Sequence, residues 1–248
     1  MNTLSETKIW NGFRCEEFDF EGRLAALVFP EKANEKKSWT IKTEYRDAFP
    51  ETEIELLKRG FHCAYLTNNN RWATKEDCDA KARFALYLHE HYGLSEKCVP
   101  VGMSCGGCHA VNFAGFHPES VVCMYIDAPV LNFTDNPGNP MIEARRAVWE
   151  NEFVKAYPGI TRAGLLNFDN HPILKAPILI ENKIPILMVY GTQDESVSYA
   201  LNGQFLEDAY ADHPGLLTVM VRKLQGHHPH GFPQNPGRIA DWIEAHIG

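Results

Sequence analysis

A serine between glycines at residues 102–106 constrains more than any other feature how this chain can fold. The pentapeptide Gly-Met-Ser-Cys-Gly fits the G-x-S-x-G pattern of a strand-to-helix elbow. The apolar run at 98–101 predicts a buried strand before it, and residues 107–114 predict a helix after it. Such a turn pushes its serine hydroxyl out of the carboxyl edge of a sheet. The pattern therefore predicts a parallel sheet with Ser104 exposed at that edge.

The rest of the chain alternates strand-like and helix-like segments. Further apolar runs predict strands at 23–30, 61–66, 121–127, 184–190 and 217–221. Helices are predicted at 44–59, with a break at Pro50, and at 75–92, 195–209 and 238–245. Residues 9–20 alternate weakly and predict an antiparallel opening strand or hairpin. The fold class predicted is α/β, with a mostly parallel central sheet covered by helices on both faces.

Residues 130–180 interrupt this alternation. They contain five prolines and short helical pieces such as 142–156, between two predicted sheet strands. We expect one domain spanning 1–248, with 130–180 inserted as a small cap over the edge where Ser104 lies. The alternative is an ordinary crossover helix with long loops.

Two later strand ends supply the partners that a nucleophilic serine needs. A serine hydroxyl is protonated at neutral pH, so a histidine must accept its proton and a carboxylate must orient that histidine. Asp194 follows the strand at 184–190, and His227 follows the strand at 217–221. The order serine, acid, histidine is that of hydrolases with this elbow. His227, Asp194 and Ser104 are the predicted catalytic residues, and His230 on the same loop is the alternative base.

Attack on a carbonyl also requires donors for the developing oxyanion. The residue after the nucleophile supplies one backbone N–H, here that of Cys105. The second donor is expected on the loop after the strand at 23–30, where Trp39 is the candidate.

Cys105 and Cys108 form a C-x-x-C pair that offers two further alternatives. At a helix N-terminus such a pair can be a redox couple with a lowered thiol pKa. Together with the clustered histidines it could contribute to a metal site. The elbow already accounts for the intervening glycines, so the sequence predicts no metal and no cofactor.

Composition excludes several classes of partner. The 248 residues carry a net charge of −8 with scattered basic residues, which disfavours nucleic acid. No apolar run approaches the roughly 20 residues of a membrane span. The polar first residues do not fit a secretory signal, and the seven cysteines are odd in number, so a cytoplasmic protein is expected. Oligomeric state has no signature in the sequence.

Taken together, these residues resemble the α/β-hydrolase superfamily over nearly the whole chain. Three segments, at 102–104 with the double glycine, 125–130 and 226–230, are similar to small bacterial esterase-like hydrolases, some of which degrade carbohydrate esters. The resemblance implies a serine esterase acting on an acylated sugar or another small molecule. Two positions depart from it: Cys105 stands where arginine is frequent, and Ile41-Lys42 where tryptophan-arginine is frequent.

A protein of another class is also compatible with these residues. A non-catalytic small-molecule binding protein could use the same fold, because fold does not fix function.

Overall fold

The computed structural model describes residues 6–247, in which nine strands form one sheet. The strands are β1 (Glu6–Trp10), β2 (Phe13–Phe20), β3 (Arg23–Val28), β4 (Trp39–Lys42), β5 (His62–Leu66), β6 (Val99–Met103), β7 (Met124–Asp127), β8 (Ile186–Gly191) and β9 (Leu217–Arg222). The α-helices are α1 (Glu51–Lys58), α2 (Lys75–Tyr92), α3 (Cys105–Phe116), α4 (Glu143–Val148), α5 (Val154–Ala156), α6 (Ala176–Glu181), α7 (Gly203–Tyr210) and α8 (Gly237–His246). Short 3₁₀ turns lie at Pro118–Ser120, Gly164–Asn167, Pro172–Lys175 and Tyr199–Leu201. A π-helical turn, Trp149–Phe153, joins α4 to α5.

The sheet is antiparallel at one end and parallel over the rest. Its strand order is β1-β2-β3-β5-β4-β6-β7-β8-β9. The pairings from β1 to β5 are antiparallel, and every pairing from β5–β4 to β8–β9 is parallel. The predicted α/β class with an antiparallel opening is therefore confirmed. The sequence did not predict β4, which lies within a stretch taken as loop.

Alternating side chains bury both faces of the sheet. On β7, Met124 and Ile126 join the core that contains residues of α2 and α3. Tyr125, between them, joins the opposite core with α1 and α8. Because consecutive strand side chains point to opposite faces, an unbroken apolar strand such as this one is buried by helices on both sides.

Two helices begin later than predicted, and a third has the predicted extent. α1 begins only after Pro50, since proline fits the start of a helix and not its interior. α7 begins at Gly203, because a 3₁₀ turn occupies Tyr199–Leu201. α2 spans Lys75–Tyr92 as predicted and ends at Gly93, whose left-handed φ of 64° closes the helix.

Ser104 lies in a strained turn between β6 and α3. Its φ of 53° and ψ of −119° are a conformation that residues other than glycine rarely adopt. The turn is possible because its neighbours lack side chains: a Cβ at Gly102 would overlap the Gly106 carbonyl, and one at Gly107 would lie 2.7 Å from Pro129 Cα. Backbone bonds fix it, from the Ser104 amide to the Asp127 carbonyl (2.9 Å) and from the Val130 amide to the Ser104 carbonyl (3.0 Å).

The segment between β7 and β8 is mostly short helices and turns. Its aromatic side chains Phe133, Trp149 and Phe153 pack with Trp72 and with Cys108 of α3. This aromatic cluster attaches the segment to α3, the helix that follows Ser104.

Across residues 6–247 we find no helix that combines the length and the apolar character needed to cross a bilayer.

Candidate active site

The carboxyl edge of the parallel sheet gathers the predicted site residues. Ser104 follows β6, Asp194 follows β8, and the loop bearing the histidines follows β9. These strands belong to the consecutive parallel series β6-β7-β8-β9, in which Met103 lies beside Asp127 and Gly191 beside Arg222. Parallel strands end at one edge, so residues that are distant in sequence meet there.

His227 is held by Asp194. Nδ1 of the ring lies 2.7 Å from Asp194 Oδ2, and Ser104 and His227 line the same cavity. No hydrogen bond joins the Ser104 hydroxyl to a histidine ring within residues 6–247. Hydrogen bonds of this kind are often long in unliganded sites and tighten when substrate binds.

Asp194 is held in its ionised form. Burial by itself raises the pKa of a carboxyl group, but the hydrogen bonds from His227 and from the amides of Val197 (2.9 Å) and Ser196 (2.8 Å) outweigh it. The pKa of Asp194 is therefore lowered. An ionised carboxylate on Nδ1 leaves Nε2 of His227 as the atom that can accept a proton.

His230 belongs to a second carboxylate–imidazole pair. Its Nδ1 lies 2.9 Å from Oδ1 of Asp127, and both side chains are buried. Asp127 also accepts hydrogen bonds from Arg222 Nη2 (3.0 Å), the Tyr125 hydroxyl (3.0 Å) and the Gly231 amide (2.6 Å). The sequence assigned no role to Asp127 or Arg222. The available signal was that each is a polar residue at the end of a strand.

The three histidine rings lie together at the cavity. The ring centroid of His227 is 4.7 Å from that of His228 and 4.8 Å from that of His230. Phe49 stacks on His228 at 5.3 Å and meets His230 edge-on at 5.1 Å. Burial, followed by the charges of His227 and His230, lowers the pKa of His228.

Two cavities meet at Ser104. One, of about 250 Å³, is lined by Phe49, Met103, Ser104 and the three histidines, together with Tyr45 and Ala48. The other, of about 340 Å³, is more polar, and Ser104 and Tyr45 line it as well. Its wall includes Asn136, Ile142, Ala144, Arg145 and Val148 from the segment between β7 and β8.

Trp39 is not at the site, and its prediction as an oxyanion donor was wrong. It is the first residue of β4, beside His62, and its indole Nε1 donates to the Ser95 carbonyl at 2.8 Å. Lys42, at the other end of β4, is the residue in register with Val101. The strand thus places Trp39 at the opposite edge of the sheet from Ser104.

The loop near the elbow is the one after β4. The Thr43 hydroxyl binds the Gly106 carbonyl at 2.7 Å, which ties this loop to the elbow. The loop carries the aromatic–arginine pair Tyr45-Arg46, whereas the Ile41-Lys42 position compared with such a pair lies within β4. Only when β4 is recognised as a strand can Tyr45-Arg46, on the loop after it, be compared with the tryptophan-arginine pair of the similar hydrolases.

The environment of the cysteines beside Ser104 is unlike that of a redox pair. Burial raises the pKa of Cys105 to about 11 and that of Cys108 well above its usual value. A redox pair requires a lowered thiol pKa, so the chemistry does not fit. In the described residues, the cluster of side chains spaced to hold a metal is His227, His228 and His230, and it contains neither cysteine.

Solved structures of several hydrolases resemble this chain along its length. The S-formylglutathione hydrolase from Agrobacterium tumefaciens has a TM-score of 0.69 and 14% identity, covering 100% of both chains. The acetyl xylan esterase from Paenibacillus sp. R4 has a TM-score of 0.70 and 14% identity, covering 99% of this chain and 89% of that one. Est1E from Butyrivibrio proteoclasticus has a TM-score of 0.65 and 13% identity, covering 98% of both. No protein-family model and no curated protein sequence matches the chain. The chain has the α/β-hydrolase fold.

Proposed function

We propose that this protein is a serine hydrolase that cleaves a carboxylic ester through an acyl-enzyme. Ser104 attacks the acyl carbon, His227 accepts its proton and delivers it to the leaving alcohol, and Asp194 orients His227. Water then hydrolyses the acyl-enzyme with the same base. The observation that carries the proposal is a strained serine on an elbow that shares a cavity with an Asp194-bound imidazole.

Charge favours His227 over His230 as the base. In the described chain Asp194 contacts no arginine or lysine, and its partner is the His227 imidazole at 2.7 Å. Asp127, beside His230, already faces the buried guanidinium of Arg222 at 3.0 Å. A carboxylate paired with a fixed positive charge stabilises a second one less, so the imidazolium formed during catalysis is better supported at His227.

The oxyanion is stabilised by backbone donors from two loops. The Cys105 amide opens α3 and has no carbonyl one turn earlier in that helix to bind. We assign the second donor to the amide of Tyr45, which lines both cavities beside Ser104 and lies on the loop tied to the elbow by Thr43.

The two cavities suit an ester with one small apolar part and one polar part. The cavity of about 250 Å³ has room for a short acyl group next to Phe49 and Met103. The other presents Arg71, Arg145 and Glu195, which can hydrogen-bond hydroxyl groups. The segment at 130–180 acts as the cap that forms this polar wall. An acylated sugar or a similar polar alcohol is the substrate class proposed, and no cofactor takes part.

A fluorophosphonate probe tests the nucleophile. We expect covalent labelling of Ser104, located by peptide mass spectrometry, with turnover of p-nitrophenyl acetate. Ser104→Ala abolishes both and keeps the melting temperature of the parent. A folded parent protein that neither reacts with the probe nor hydrolyses the ester would contradict the proposal and favour a binding protein with this fold.

The length of the acyl chain tests whether the smaller cavity holds the acyl group. Because the cavity of about 250 Å³ is small, kcat/KM is expected to fall from p-nitrophenyl acetate to the octanoate ester. An octanoate ester hydrolysed faster than the acetate would show that the acyl group lies elsewhere, while leaving the nucleophile assignment intact.

A further inference from the structure

We propose that His227, His228 and His230 form a binding site for a divalent transition-metal ion of the zinc type, and that the bound ion inhibits hydrolysis. One ring nitrogen from each residue lies within 4.8 Å of the others. Zinc–imidazole bonds of about 2.0–2.1 Å in tetrahedral geometry place ligand nitrogens about 3.4 Å apart. Small side-chain rotations close that difference, and His228, the exposed member, can make one by sliding on the Phe49 ring.

Two of the three rings are already oriented as metal ligands are. Nδ1 of His227 is bound to Asp194 at 2.7 Å, and Nδ1 of His230 is bound to Asp127 at 2.9 Å. Nε2 of each ring is thereby left as the coordinating atom. A carboxylate on the far nitrogen is the usual support of a metal-bound histidine, because it fixes the ring and increases its basicity.

The charge around the cluster favours a cation. Asp194 and Asp127 together carry two negative charges, and Arg222 beside Asp127 carries one positive charge, which leaves a balance of −1. Three neutral imidazoles are ligands suited to zinc, copper or nickel, whereas magnesium and calcium prefer oxygen. The proposal departs from the sequence-based expectation that the site holds no metal.

Inhibition follows from the atom that the ion occupies, and this part rests on the proposed function. The lone pair on Nε2 of His227 is the one that accepts the Ser104 proton. An ion coordinated there takes that lone pair and holds the ring away from the hydroxyl. Zinc is therefore expected to inhibit the hydrolase, and a chelator to restore it.

Binding is measured first, on protein stripped with a chelator. Isothermal titration with zinc is expected to give one site per chain, and cobalt to give the visible absorption bands of tetrahedral coordination. His228→Gln removes one ligand without touching the Asp194–His227 pair, and is expected to weaken zinc binding at least about tenfold. His213→Gln, an exposed histidine elsewhere, serves as the matched control and leaves binding unchanged. Equal zinc affinity in His228→Gln and the parent would overturn the site.

Activity is measured separately, as the ratio with and without zinc for each variant. The parent and His213→Gln are expected to lose most of their esterase activity at saturating zinc, and His228→Gln to need at least about tenfold more zinc for the same loss. Loss of activity on chelation would overturn the inhibitory role, because a catalytic metal behaves that way.

Ser104→Ala separates this proposal from the proposed function. It should bind zinc as tightly as the parent although it lacks the nucleophile. A parent protein that binds stoichiometric zinc but hydrolyses no ester after the zinc has been removed would leave the metal site standing and refute the hydrolase. An active enzyme that binds no zinc would do the reverse.

Discussion

Asp194 and Asp127, at the same edge of the sheet, each bind a histidine, and the other groups around each aspartate suit the two to different roles. Asp194 is bonded to His227 and to two amides, with no arginine or lysine in contact among the described residues. Asp127 is saturated by four donors, one of which is the Arg222 guanidinium. The first is suited to stabilising a charge that appears during a reaction, and the second to holding a permanent one.

Asp194→Asn tests the first of these roles. The amide has the same shape but no charge, and it can no longer stabilise the imidazolium or select its tautomer. We expect kcat for p-nitrophenyl acetate to fall by roughly 10³–10⁴-fold, as when a triad carboxylate is neutralised. A loss of less than about tenfold in a folded variant would assign the base to His230 instead.

Asp127→Asn tests the second. The substitution leaves Arg222, whose side chain is 1% exposed, as a buried charge with carbonyl acceptors but no carboxylate partner. Breaking such a pair costs about 3–5 kcal/mol, so the free energy of unfolding in urea should fall by that amount. Asp194→Asn serves as the comparison, because its loss removes no partner from an arginine. Equal destabilisation by the two variants would contradict the distinction.

Local sequence predicted some of these residues and not others. Ser104 and Asp194 were predictable because each follows a recognisable strand, and parallel strands end together. The Asp127–His230 pair joins residues 103 positions apart, and no local pattern encodes that contact. The choice of Asp127's partners depends on β9 lying next to β8 in the sheet, which only the assembled structure provides.

At the scale of elements, the elbow depends on space as much as on conformation. Pro129 packs against Gly107, and a Cβ added there would lie only 2.7 Å from Pro129 Cα. We expect Gly107→Ala to destabilise the fold by about 1–3 kcal/mol, the usual cost of overpacking, and to reduce fluorophosphonate labelling of Ser104.

Gly164→Ala provides the matched control for that substitution. The added Cβ there meets side-chain atoms and no backbone, the Thr161 hydroxyl at 3.2 Å and Ile160 Cδ1 at 3.6 Å. Its thermal midpoint and labelling should match those of the parent. A Gly107→Ala protein with parental midpoint and labelling would show that the turn relaxes without cost.

Strand β4 shows why one element escaped prediction. Trp39–Lys42 has only four residues, so its alternation of apolar and polar side chains is too short to stand out from a loop, and all four residues are buried. Threonine and lysine are buried there by contacts from other parts of the chain, such as the Lys42–Glu53 ion pair at 2.6 Å. Missing this strand shifted the expected oxyanion loop and produced the error at Trp39.

At the scale of the whole molecule, one buried histidine links stability to pH. His62 in β5 is 6% exposed, and its Nδ1 has no hydrogen-bond partner in the described structure. Burial, followed by the charge of Lys37, lowers its pKa from 6.5 to about 4. The folded protein therefore keeps this ring neutral over a range in which the unfolded chain protonates it.

Because the pKa of His62 is lower in the folded protein than in the unfolded chain, acid destabilises the fold. Well above pH 6.5, His62 is neutral in both the folded and the unfolded state, so it does not reduce the free energy of unfolding. As the pH falls from 6.5 towards 4, the unfolded chain binds a proton that the folded protein does not, and the free energy of unfolding decreases. The loss amounts to about 3 kcal/mol. Urea unfolding at pH 7 and pH 4.5 should show a smaller decrease for His62→Gln than for the parent. Equal decreases would place the pH sensitivity in other groups.

The paired histidines also bear on how such a site could change over generations. Two carboxylate–imidazole units sit on one loop, yet each is anchored to a different strand, β7 through Asp127 and the β8 terminus through Asp194. A substitution that removes the Asp194–His227 bond leaves the Asp127–His230 bond to hold the loop in place, and the reverse is also true. The loop therefore has two independent anchors on the sheet, and a change at one carboxylate leaves the other in place.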